Sequence, residues 1–237
     1  MNLLPVQERG YAHPELLAET GWLADRLDDP NIRVIDARPS EQYATGHVPG
    51  AVNLSAFGGI PRAANRDMAS PDEFASLASK LGISNEMTVV AYDIPSQIVG
   101  TVAWAFLYYG HVDVRILDGG LAKWSREHRP ISTQVVDYPH ATFVPKPQEA
   151  LYCSLNQVRS AVSQPKTIFW DVRSVEEFEG TRAGFGPSVR LGRIPGAVHL
   201  EWSELLDQGT KTLKPAEELH ALLASRGINP DYEIDTY

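Results

Sequence analysis

Residues 34–54, VIDARPSEQYATGHVPGAVNL, recur in the second half of the chain as FWDVRSVEEFEG at 169–180 and GRIPGAVHL at 192–200. Asp36-x-Arg38 aligns with Asp171-x-Arg173, Glu41 with Glu176 and Tyr43 with Phe178. Gly46-x-Val48-Pro49-Gly50-Ala51-Val52-x-Leu54 aligns with Gly192-x-Ile194-Pro195-Gly196-Ala197-Val198-x-Leu200. The second copy carries an insertion, residues 181–191, rich in Gly, Arg and Ser. Similarity sustained over such a length predicts two copies of one domain in tandem.

The match continues downstream. Ser70-Pro71-Asp72-Glu73 has the form of a capping box, with Pro at the first helical position. Phe74, Leu77, Ala78 and Leu81 follow the helical period, and Gly82 closes the helix. Pro215–Gly227 repeats that helix, and Val89-Val90-Ala91-Tyr92 aligns with Ile234-Asp235-Thr236-Tyr237. Arg33–Asp36, Val89–Tyr92 and Val114–Leu117 read as strands, whereas Glu73–Leu81, Ile98–Tyr109 and Leu121–Trp124 read as helices. This alternation predicts an α/β fold: two domains, each a mostly parallel sheet flanked by helices. Ser154-Leu155-Asn156-Gln157 is a further capping box, opening the second copy. Residues 131–150, with Pro139, Pro145 and Pro147, read as an extended linker between a first domain at 10–130 and a second at 151–237.

Composition narrows the class. Over 237 residues, 21 Lys and Arg stand against 30 Asp and Glu, a net charge of −9, with no basic run to meet nucleic acid or an anionic membrane. No leader-like segment opens the chain, and no window reaches the ~18 apolar residues of a membrane span. The single cysteine, Cys153, leaves no disulfide within the chain and no zinc site needing two thiolates. A reducing cytoplasm is the expected location.

Asp-x-Arg, then Glu-x-Tyr/Phe, then Gly-His-Val-Pro-Gly-Ala-Val resembles the rhodanese family of sulfurtransferases, as does Leu117-Asp118-Gly119-Gly120-Leu121-x-x-Trp124. The resemblance runs from about Trp22 onward. It implies a thiosulfate or 3-mercaptopyruvate sulfurtransferase with an inactive first domain and a catalytic cysteine in the second. No metal or organic cofactor is implied. Partners would be a small anionic sulfur donor and a thiophilic acceptor such as cyanide or a thiol.

In that family the nucleophile opens a loop directly after the strand that ends the repeated block. In the first copy that position is Asp93, whose carboxylate cannot form a persulfide; in the second it is the position following Tyr237. The second domain is therefore expected to be incomplete within these residues. Asp93 to Pro130 spans 38 residues, so a complementary segment of roughly 40 residues, cleaved, split off or continuing the chain, is expected to supply the nucleophile. Cys153, far in sequence from either loop, reads as incidental.

Asp171 and Arg173 have two readings: Arg173 lends positive potential to the donor, or the pair pins the following turn. His47 and Arg193 share one aligned turn position and read as holding the Gly-x-x-Pro-Gly turn. Trp202 is either core or pocket wall. Arg182, Arg190 and Arg193 form a basic rim or are solvated surface. Glu177 departs from the substrate-binding arginine of animal rhodaneses and brings the chain nearer to bacterial two-domain forms. Two other functions stay open: a non-catalytic interaction module, if both loops are dead, and phosphatase or arsenate-reductase chemistry, if the loop is one residue longer.

Overall fold

A computed structural model describes residues 4–56, 58–61, 68–94, 98–184 and 190–237. Part of the first loop (95–97) and part of the insertion (185–189) lie outside the described residues. The chain forms two compact units. One comprises residues up to Tyr152 together with Gln208–Leu213; the other comprises Cys153–Asp207 and Lys214–Tyr237. No helix among the described residues is long and apolar enough to cross a membrane.

Among the described residues, the first unit is built on five parallel strands: β1 Leu17–Ala18, β2 Ile32–Asp36, β3 Val52–Asn53, β4 Thr88–Tyr92 and β5 Val114–Leu117. Their order is β1-β5-β4-β2-β3. Among the described residues the α-helices beside them are α1 Thr20–Ala24, α2 Ser40–Thr45, α3 Pro71–Lys80, α4 Ile98–Tyr108 and α5 Gly120–Arg126.

The strands are apolar on both faces, as a parallel sheet covered on both sides requires. Ile35, Val89 and Ala91 point toward Phe74 and Ala78 of α3 and Val102 and Phe106 of α4. The alternate residues Val34, Val90 and Tyr92 pack with Leu23, Tyr43 and Trp124 of α1, α2 and α5. Ser70 caps α3 as the sequence predicts, with the reciprocal Glu73 bond present. At Gly82 the backbone turns at φ +67°, and a Cβ there would lie 2.6 Å from Cβ of Tyr138.

The stretch 131–150 is laid along the first unit as extended chain. Ser132 bridges to His47, the Tyr138 hydroxyl donates to the Gly50 carbonyl at 2.9 Å, and Phe143 enters the core. The Arg33 guanidinium lies 3.2 Å from the Tyr138 ring centroid.

The second unit carries three parallel strands, β6 Thr167–Asp171, β7 Val198–His199 and β8 Glu233–Thr236, in the order β7-β6-β8. That order repeats β3-β2-β4 of the first unit. Its helices α6 Leu155–Ala161, α7 Val175–Glu179 and α8 Ala216–Ser225 stand where α1, α2 and α3 stand in the first copy. Ser154 caps α6 through the predicted box, and Ser174 caps α7 through a third, with Glu177. Burial differs sharply between the copies. Val89 in β4 is fully buried, while its counterpart Ile234 in β8 is 38% exposed.

Candidate active site

The C-terminal end of a parallel sheet is where α/β folds place their sites. In the second unit β6 ends there on Asp171, whose carboxylate is fully buried. Burial pushes that carboxyl upward, but hydrogen bonds from Arg173 and Tyr237 outweigh it and hold the group below its ordinary value. Asp171 Oδ1 accepts from the backbone N–H and Nε of Arg173, each at 3.0 Å, and Oδ2 accepts from Nη2 at 2.5 Å. The same Nη2 donates to the Gly192 carbonyl at 3.0 Å. Tyr237 completes the cluster. Its hydroxyl accepts the backbone N–H of Ile194 at 3.0 Å and acts electrostatically on the Asp171 carboxylate.

The first unit reproduces every one of these bonds. Arg38 is bidentate to Asp36 and donates to the Gly46 carbonyl at 2.7 Å. The Tyr92 hydroxyl donates to Asp36 at 2.7 Å and accepts the Val48 N–H at 3.0 Å. Both arginines are thus engaged by their own aspartate and the Gly-x-x-Pro-Gly turn, whichever copy they belong to.

Arg193 and His47 also hold corresponding places. Exposed Arg193 lies 4.2 Å from the Phe178 ring centroid and donates to the Phe178 carbonyl at 3.1 Å. Fully buried His47 stacks on Tyr43 at 3.8 Å and bonds the Tyr43 carbonyl through Nδ1 at 3.0 Å. Trp202, half-buried, joins the cluster through its backbone, donating to the Val172 carbonyl at 3.0 Å. Asp171, Arg173 and Tyr237 are therefore in direct contact, Arg193 sits next to Ile194 on the turn, and Trp202 follows the end of β7.

No motif in the sequence singles out His199. It pairs with Asp171 across β6 and β7, stacks on Phe178 at 4.7 Å, and donates from Nε2 to the Arg173 carbonyl at 2.9 Å. Its counterpart Asn53 donates to the Arg38 carbonyl at 2.8 Å. The alignment places the two residues together, but Asn and His share no pattern that would flag a common bond. Glu177, noted as a departure, is buried and bonded to Ser174 as the α7 cap; Arg182 reaches both residues. Arg190 is exposed.

Beyond Tyr92 the first unit continues into Asp93, which is buried. Its Oδ2 accepts the N–H of Val99 at 3.0 Å, and its carbonyl accepts from Leu121 at 2.9 Å. A carboxylate thus takes a donor in the first turn of α4, where the dipole favours an anion. In the second unit Tyr237 stands in the same relation to β6 as Tyr92 to β2. Val172 N–H donates to the Tyr237 carbonyl at 3.1 Å, as Ala37 does to Tyr92 at 2.8 Å.

Cys153 lies elsewhere, half-buried beside the Ser154 cap. Burial raises its thiol, and the nearby carboxylates of Asp235 and Glu233 raise it further, the opposite of what an attacking thiolate needs. Among the described residues no group of three or more His, Cys, Asp or Glu side chains is placed to hold a metal ion.

Comparison with known proteins agrees with this geometry. The model of the rhodanese-like domain matches residues 19–127. The sulfur carrier protein TtuD of Thermus thermophilus is 38% identical over 239 residues, covering 96% of this chain and 84% of that protein. The thiosulfate sulfurtransferase of Corynebacterium glutamicum is 33% identical over 238 residues, covering 96% and 78%. The crystal structure of SseA from Escherichia coli, described as a 3-mercaptopyruvate sulfotransferase, shares 27% identity and superposes with a TM-score of 0.82 over 93% of this chain and 87% of that one. The chain belongs to the rhodanese family.

Proposed function

We propose that the protein transfers sulfane sulfur from thiosulfate or 3-mercaptopyruvate to cyanide or a thiol, through a persulfide on a cysteine at the position following Tyr237. The observation that carries this reading is the matching end of β8 and β4. Tyr237 accepts a turn N–H at its hydroxyl and a strand-end N–H at its carbonyl as Tyr92 does, so the next position corresponds to Asp93, which in the first unit receives an N–H of α4.

A thiolate at such a position attacks the outer sulfur of thiosulfate. With thiosulfate the new S–S bond forms as the old one breaks, and sulfite leaves with the electron pair; with mercaptopyruvate the C–S bond breaks and the pyruvate enolate leaves with the electron pair, to be protonated to pyruvate. Cyanide or an acceptor thiolate then takes the outer sulfur and the enzyme thiolate is restored. Only the thiolate is nucleophilic, and converging N–H groups at a helix start are what lower its pKa. Asp171, Arg173, Arg193 and Trp202 support the pocket by holding the turn and the strand ends beside the nucleophile. The first unit, with Asp93 in the nucleophile's place, is inactive. The reaction runs without metal or organic cofactor, and the segment carrying the nucleophile completes the second domain.

Likeness to a sulfur carrier protein supports a protein-borne thiol as an acceptor for the same persulfide. Both versions share the first half-reaction.

The test is thiocyanate production from thiosulfate and cyanide by protein that includes the residues following Tyr237. Turnover is expected, is abolished by replacing the cysteine after Tyr237 with serine, and survives Cys153→Ser. An inactive protein, or one inactivated by Cys153→Ser, contradicts the reading and favours a non-catalytic interaction module.

A further inference from the structure

We infer that Tyr237 is a positioning residue for sulfur transfer: its hydroxyl ties the strand end that launches the nucleophile to the Gly-x-x-Pro-Gly turn. The inference rests on the function proposed above and adds a residue to it. The backbone at Tyr237 is already fixed on both sides, its N–H donating to the Trp170 carbonyl and its carbonyl accepting from Val172, each at 3.1 Å. Those bonds set the position of the strand along β6. The hydroxyl adds what the ladder cannot, a lateral anchor that accepts the Ile194 N–H of the turn at 3.0 Å.

Beside it, Asp171 holds Arg173, which donates to the Gly192 carbonyl of the same turn. The turn is thus held at Ile194 by Tyr237 and at Gly192 by the Asp171–Arg173 pair. Arg173 also lies over the Tyr237 ring, 5.2 Å from its centroid.

Replacing this tyrosine by phenylalanine keeps the ring and its packing and deletes only the anchor. A displacement of the nucleophile by about 1 Å costs on the order of 10²-fold in rate. The first unit provides a matched control, because Tyr92→Phe breaks the corresponding bond from Val48, and one to Asp36 besides, in the copy without a nucleophile.

The experiment compares Tyr237→Phe and Tyr92→Phe with the parent, all in protein that includes the residues following Tyr237. Steady-state transfer from thiosulfate to cyanide is measured well below the unfolding midpoints. Tyr237→Phe is expected to lower kcat by roughly 10- to 100-fold with KM within about threefold, while Tyr92→Phe leaves both within about twofold. A second readout separates positioning from folding: the pH midpoint for alkylation of the nucleophile moves upward in Tyr237→Phe and stays in place in Tyr92→Phe. Equal effects of the two substitutions in an active protein overturn the inference and leave the proposed function standing. A parent protein without transfer activity overturns both.

Discussion

Arg9 and Asp118 meet at 2.6 Å with both side chains almost completely buried, 2% and 3% exposed. They stand 109 residues apart in the chain. Asp118 also accepts the Leu213 N–H at 2.9 Å, and Arg9 donates to the Leu213 carbonyl at 3.3 Å, so the pair fastens Gln208–Leu213 to the first unit. Arg126 donates to the carbonyls of Gly209 and Thr210 in the same segment.

Removing one member of a buried pair leaves the other charged and unsolvated, at a cost of about 3–5 kcal/mol. Arg9→Met is therefore expected to destabilise the first unit by that order in urea unfolding. The double variant Arg9→Met with Asp118→Leu should lose less than the two single losses added together, because no orphaned charge remains. A cost for Arg9→Met below about 1 kcal/mol, typical of an exposed pair, contradicts this account.

His111, 1% exposed, donates from Nε2 to the Met87 carbonyl at 2.9 Å and stacks against Phe143. Burial pulls its pKa below the ordinary value of 6.5, outweighing the bond to Met87. The unfolded chain then takes up a proton before the native one does, so this contribution is whole above pH 6.5 and is lost on acidification below it. His111→Phe should flatten the fall in unfolding free energy as pH drops below 6.5, at a fixed cost for the lost bond. An unchanged slope contradicts it.

Glu127 sets a second window. Desolvation raises its carboxyl, but hydrogen bonds from Lys123, Thr20 and Arg129 win and bring it down to about 2. The contacts are 2.6 Å to Lys123, 2.6 Å to Thr20 and 2.5 Å to Arg129. Its stabilising contribution is present above its ordinary value of 4.5 and is lost as pH falls from there toward 2. Glu127→Gln should remove that acid-dependent step in thermal melts and leave the His111 window untouched.

Asp93→Ala deletes the acceptor of the Val99 N–H in the first turn of α4. By analogy with helix caps the cost is about 1–2 kcal/mol. Equilibrium unfolding measures it, and a neutral result would show that the carboxylate does not hold the start of α4.

Much of the fold was legible because it is written in local signals. The repeat, the Ser70 and Ser154 boxes and the apolar runs of β2, β4 and β5 each act within a few residues. Strand β1 was not legible: Leu17–Ala18 is two residues long and exists through its pairing with Ile116 and Leu117. The extended segment 131–150 reads as linker from its prolines, since nothing local announces that Phe143 enters the core. At the candidate site, Asp-x-Arg and the Gly-x-x-Pro-Gly turn were visible as motifs. The Tyr237 hydroxyl that joins them, 43 residues from Ile194, was not, because tyrosine in a strand looks like packing until its partner is placed.

The central claim is that sulfur is carried on the residue following Tyr237. The most direct test is mass spectrometry of protein containing that residue, treated with thiosulfate, freed of excess donor and digested without reductant. The account predicts a gain of about 32 Da, one sulfur atom, on the peptide containing that residue, discharged by cyanide. No gain, or a gain on the Cys153 peptide, would contradict it.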